Sequence, residues 1–117
     1  MTRRIERVNS LLHEEISKTL LKEVDFGEAL VTITNVHTTR DLLESDIFIT
    51  VLPQGKERTV LKILKANIYN IQKMLNKKLN MRPIPKIHFK IDEGMKNFYR
   101  INNISQKNIN HEKQDKN

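Results

Sequence analysis

The segment Lys86-Ile87-His88-Phe89-Lys90-Ile91-Asp92 alternates without a break: Ile87, Phe89 and Ile91 fall on one side, Lys86, His88 and Lys90 on the other. A period of two over this length is a β-strand with one face for a core and one for water. Just before it stand Pro83 and Pro85. The residue preceding a proline avoids the helical conformation, so any helix upstream must end here. One does stand upstream, because from about Glu57 to Asn80 the period changes. Val60, Leu64, Ile68, Ile71, Leu75 and Leu79 lie within an arc of about 100° when residues are spaced as on a helix. Pro53-Gln54-Gly55 breaks the chain in front of that helix.

Further upstream, Ile47, Ile49 and Val51 point one way and Asp46 and Thr50 the other, within a strand over 45–52. Residues 30–36 alternate too and are rich in β-branched side chains, which predicts another strand. The link His37–Glu44 is short enough for a hairpin. A first helix is expected over 5–24. Its stripe is Ile5, Val8, Leu12, Ile16 and Leu20, with Leu11 and Leu21 beside it, and Asp25-Phe26-Gly27 ends it.

The order helix, strand, strand, helix, strand predicts an α+β domain with both helices on one face of a three-stranded sheet. The other face, with Lys86, His88, Lys90, Asp46 and Thr50, is left to water. A weak terminal helix is expected over 97–104, with Asn97 as its cap and Phe98 and Ile101 as anchors. Residues 105–117 are polar apart from Ile109 and are expected to form a disordered tail to a domain spanning 1–104.

At 117 residues the chain has the length of one domain and no cysteine, which excludes a disulfide framework, a thiolate metal site and a cysteine nucleophile. Its longest nearly apolar stretch, Ile47–Leu52, is far short of a membrane span. The basic start, Met1–Arg4, is followed by no apolar signal region, so the expected location is the cytoplasm.

Charge is unevenly distributed. Residues 1–55 carry 6 basic and 9 acidic side chains, whereas residues 56–92 carry 10 basic and 2 acidic. A mildly acidic half joined to a strongly basic one favours a polyanionic partner on one surface. Lys62, Lys73 and Lys77 lie opposite the apolar stripe of the second helix, flanked by Lys65 and Lys78. Arg82, Lys86 and Lys90 extend the charge onto the last strand. Lysine is a mobile point charge suited to phosphate rather than to base edges. Aromatic residues make up 5% of the chain, and on the basic side of the helix only Tyr69 offers a ring for stacking. The expected ligand is therefore structured RNA, held by phosphate and shape. Should this stripe prove to be only a solvated face, the next places to seek contact are Arg3, Arg4 and Arg7, or Lys86 and Lys90.

No catalytic chemistry accompanies this pattern. His13, His37, His88 and His111 are scattered, without the spacing of metal ligands. His37 and Asp41 flank the hairpin loop, where such residues usually satisfy backbone groups. A DNA-reading helix needs a tight helix-turn, but here strands separate the two helices. No enzyme activity, metal, cofactor, DNA or membrane partner is expected, and the protein is read as a monomer.

Several stretches resemble bacterial ribosome-binding factor A, a small-subunit assembly factor. They are Arg4-Ile5-Glu6-Arg7-Val8 with Leu11 and Glu15-Ile16-Ser17; Val31-Thr32-Ile33-Thr34-Asn35-Val36; Thr39-Arg40-Asp41-Leu42 leading into Ile47–Leu52; Arg82-Pro83-Ile84-Pro85; Ile87–Asp92; and Arg100-Ile101. The resemblance implies a type II KH-like fold and binding to the immature 30S subunit through its 16S rRNA. It also implies a role in late maturation, especially at the 5′ end of that RNA, and in growth at low temperature. Two other readings stay open: a permanent small-subunit ribosomal protein, and another KH-like RNA-binding protein. In one respect the chain departs from the family, which usually has an Ala-x-Gly kink within the long helical region. Here the matching positions read Asn67-Ile68-Tyr69. Either the kink forms without glycine, or the helix runs straighter.

Overall fold

A computed structural model describes residues 2–94. The expected terminal helix over 97–104 and the tail over 105–117 lie outside the described residues. The order is α1 (Thr2–Glu23), β1 (Leu30–Thr38), β2 (Glu44–Leu52), α2 (Glu57–Lys78) and β3 (Lys86–Ile91). This is the expected α+β, KH-like arrangement. The sheet order is β1-β2-β3, with β1 antiparallel and β3 parallel to the central strand. A parallel neighbour needs a crossover, and α2 is that crossover.

One core lies between the sheet and the two helices. Val8, Leu12, Ile16 and Leu20 enter it from α1; Val60, Leu64, Ile71 and Leu75 enter from α2. Ile33, Val36, Ile47, Ile49, Val51 and Ile87 meet them from the sheet. Each such side chain contributes about 1.5–3 kcal/mol by leaving water. Leu21, placed beside the α1 stripe by the sequence, is 87% exposed.

The alternation over 30–36 is interrupted. A bulge at Thr34 shifts the register, so that Ile33 pairs with Ile49 and Asn35 with Phe48. Strict alternation would have turned Asn35 inward. The extra residue turns it outward and puts Val36 in the core instead. The displaced Thr34 hydroxyl donates to the Asp92 carboxylate at 2.6 Å, linking β1 to the end of β3.

The hairpin closes on polar bonds. Ser45 is fully buried, and Thr38 is 4% exposed. The Thr38 hydroxyl donates to the Asn9 side-chain oxygen of α1 at 2.5 Å, which leaves Ser45 to donate to Thr38 at 2.7 Å. In the turn, Leu42 is held at φ 64 with its side chain in the core. Its burial offsets the cost, about 1 kcal/mol or more, of the left-handed conformation.

α2 runs without interruption through Asn67-Ile68-Tyr69. The Asn67 amide donates to the Ile63 carbonyl at 2.8 Å, one turn back in the same helix. The helix is therefore not broken at the positions where the family usually has its Ala-x-Gly kink.

Candidate nucleic-acid interface

The burial of one side of α2 decides what the other side can do. With Val60, Leu64, Ile71 and Leu75 held in the core, Lys62, Lys65, Lys73, Lys77 and Lys78 are all exposed. Arg58 joins them, and Tyr69, at 73% exposure, lies among them. From Lys62 to Lys77 the helix rises about 22 Å. After Glu57 in its first turn, α2 contains no acidic residue. Among the described residues no ion pair engages any of the five lysines. Lys77 and Lys78 also sit in the last turn, where positive charge offsets the negative end of the helix dipole.

The fold brings one acid to this stripe that its own helix lacks. Glu23, at the end of α1, lines a 280 Å³ cleft together with Asn67, Asn70, Lys73 and Lys77. The carboxylate lowers the local positive potential at that end of the stripe. Lys62 and Lys65 do not line this cleft.

Lys86 and Lys90 do not extend the stripe in space. Ile87 is in the core, so the alternation of β3 turns its lysines to the opposite side of the sheet from α2. There Lys90 meets Asp46 at 3.1 Å, and His88 contacts Glu44. Exposed pairs of this kind are worth about 0–1 kcal/mol each, but they leave less free charge for an anion.

Arg82 belongs to a third place. The segment after α2 returns to the start of α1, and Arg82 lines a 680 Å³ cleft with Arg3, Arg4 and Arg7. The sequence signal for it is three arginines within five residues of α1, whose first turn has no acid. Nothing in the chain order places those three beside Arg82, which is 75 residues or more further on.

His37 and Asp41 form no catalytic pair. His37 is exposed on the outer face of β1, and Asp41 closes its own turn. The Asp41 carboxylate accepts from the Thr39 hydroxyl at 2.6 Å and from the Leu43 N–H at 3.0 Å. The first of these bonds, then the second, holds the carboxyl below its usual pKa. Among the described residues, no group of three or more histidines and acids is placed to hold a metal ion, and no helix is long and apolar enough to cross a membrane.

A family model described as ribosome-binding factor A matches residues 4–105. The chain belongs to the ribosome-binding factor A family. A ribosome-binding factor A from Vibrio campbellii is 31% identical over 113 residues, covering 94% of this chain and 84% of the relative. The crystal structure of ribosome-binding factor A from Thermus thermophilus has a TM-score of 0.59 at 16% identity, covering 74% of this chain and 94% of that one. A similar match, TM-score 0.59 at 16% identity, is to a Thermus thermophilus ribosome-binding factor A fitted into the cryo-EM map of its complex with the 30S subunit; it covers 70% of this chain and 88% of that one. The two structural likenesses support the fold, and the family rests on the sequence matches.

Proposed function

We propose that this protein is a non-enzymatic assembly factor that binds the immature 30S subunit through 16S rRNA, with the α2 lysine face as its phosphate-contacting surface. It acts late in maturation, including at the 5′ end of that RNA, and supports growth at low temperature. It works in the cytoplasm as a monomer, without a cofactor. The observation that carries this reading is the row of exposed lysines on α2, a helix with no acid of its own after Glu57, on a chain of the ribosome-binding factor A family. The Thermus thermophilus relative seated on a 30S subunit supports the choice of partner.

Two measurements test it. In sedimented lysate the protein should travel with free small subunits and be nearly absent from 70S particles and polysomes. Equal occupancy of 30S and 70S particles would mark a permanent ribosomal protein instead. In vitro, Lys62→Gln, Lys73→Gln and Lys77→Gln together should weaken binding to structured small-subunit RNA at low salt. Each lost contact should flatten the log–log salt dependence by up to about one unit. Gln is nearly as good a helix former as Lys, so circular dichroism should be unchanged. Lys18→Gln with Lys22→Gln is the control, since Lys18 is already paired with Glu14 at 3.3 Å. A folded triple variant with unchanged affinity and slope removes α2 from the interface.

A further inference from the structure

The cleft between the start of α1 and the segment after α2 has a chemistry different from that of the lysine face. Its charged lining consists of Arg3, Arg4, Arg7 and Arg82, with no acidic residue. The chain has 14 lysines and 7 arginines, yet no lysine lines this cleft and four of the arginines do. Among the described residues none of the four is held in an ion pair. Between the arginines lie two apolar side chains and one amide: Leu11 is 36% exposed, Met81 is half-buried and Asn80 is exposed. The volume, 680 Å³, lies within the roughly 300–1,000 Å³ of small-molecule sites, so it suits one or two nucleotides rather than the flank of a helix.

Two physical differences follow from having arginine here. A guanidinium is planar and offers paired donors that match two oxygens of one phosphate; an ammonium does not. The same plane stacks on aromatic rings, including nucleobases that are not already stacked in a helix. Exposed Leu11 and half-buried Met81 give a base an apolar surface to cover, which bases paired within a duplex do not need. Charge complementarity selects an anion, and the mixture of forked donors and apolar floor selects an anion that carries a flat apolar group.

We propose that this cleft binds a short unpaired RNA segment. Arg3, Arg4, Arg7 and Arg82 hold its phosphates, and Leu11 and Met81 carry a base. The proposal rests on the RNA-binding reading above and divides the labour within it. The α2 lysines take structured RNA by phosphate and shape, while the arginine cleft takes a single strand next to it.

The experiment uses the full chain and two labelled RNAs of equal length, an unstructured oligonucleotide and a stable hairpin, followed by fluorescence anisotropy at several salt concentrations. Arg3→Gln, Arg7→Gln and Arg82→Gln together should weaken oligonucleotide binding about tenfold, and its log–log salt slope should fall by about 2, at roughly 0.7 per phosphate contact on a single strand. Hairpin binding by the same variant should change less than about threefold, whereas the triple Lys→Gln variant of α2 should reverse the two effects. Replacing the same three arginines with lysine keeps the charge and removes the fork, and should recover only part of the lost affinity. Circular dichroism and thermal melts confirm that each variant is folded; Arg and Gln are both good helix formers.

The proposal is overturned if the arginine variant binds the oligonucleotide like the parent, or loses both RNAs equally, or is fully rescued by lysine. It is also overturned if an acidic peptide of equal charge competes as well as the oligonucleotide, since the cleft would then be a protein-docking site. If the parent protein binds neither RNA, the RNA-binding reading itself fails. If it binds both and only the arginine predictions fail, that reading survives without this division.

Discussion

β1 and β3 flank the same central strand but are attached to it in opposite ways. β1 joins β2 through the short turn after Thr38, and nearly every bond there is local. The Thr39 N–H donates to the Glu44 carbonyl at 2.9 Å and the Leu42 N–H to the Thr39 carbonyl at 2.9 Å. β3 reaches β2 only after residues 53–85, and α2 fills most of that path. Closing the longer path costs more chain entropy. That cost is offset by burial of Ile87, 2% exposed, and by one amide. Gln72 of α2 accepts from the Ile87 N–H at 3.0 Å and donates to the Pro85 carbonyl at 3.0 Å. The near edge is therefore specified by a few residues in its turn, and the far edge by one helix and what it carries. The lysine face rides on that same helix, so its placement is tied to the distant edge.

The strongest way to break this arrangement is at Ile87. Ile87→Ala removes a core side chain from β3 and should cost about 2–5 kcal/mol, the usual range for Ile→Ala in a packed interior. Urea denaturation would measure it. A loss under about 1 kcal/mol would mean that β3 is not part of the cooperative core.

Gln72→Leu acts on the same edge with less force. It keeps the side-chain volume but leaves the Ile87 N–H and the Pro85 carbonyl without their partner. The expected cost is about 1–3 kcal/mol, toward the lower end because the site is only part-buried. Hydrogen exchange separates the two edges. Protection of the Ile87 amide should fall sharply, while amides of the β1–β2 pairing keep theirs. Equal loss on both edges would show that Gln72 supports the whole sheet.

The same contrast explains what the sequence revealed. Four of the five elements carry a clean period, the α1 and α2 stripes and the alternation of β2 and β3; β1 is legible from its β-branched residues despite its bulge. The hairpin was legible because its bonds are local. The bulge at Thr34 was not, because Ile33 and Val36 reach the core three residues apart, and only the partner strand shows which residue is extra. The lysines of α2 were found correctly as exposed, since their stripe is complementary to a buried one. That Lys86 and Lys90 point away from them follows from the alternation of β3, which sets its lysines on the sheet face opposite both helices. That Arg82 shares a cleft with Arg3, Arg4 and Arg7, and Glu23 another with Lys73, depends on how α1 packs against α2 and the segment after it. Pairings made by tertiary packing leave no period in the chain, and this is where the candidate site outran its sequence.

The smallest expected effect lies at the near edge, in the hairpin turn. Asp41 is fully exposed, and its carboxylate accepts from the Thr39 hydroxyl and the Leu43 N–H. These bonds favour the charged form, so the carboxyl has a lower pKa folded than unfolded, where it is near 3.8. The unfolded state then takes up a proton first as pH falls. The contribution of Asp41 is fully present above the unfolded pKa and is lost as pH drops through the folded one. Asp41→Asn keeps an oxygen acceptor for the turn but has no carboxylate to titrate. Its melting temperature should be slightly below that of the parent near neutral pH. The gap should close as pH falls from about 5 toward 2, whatever the other carboxylates do in both proteins. A gap that is constant or widens on acidification would mean that the turn is held by its backbone bonds and by Leu42 alone. The near edge would then be independent of side-chain charge, while the far edge depends on the burial of Ile87 and on the Gln72 amide.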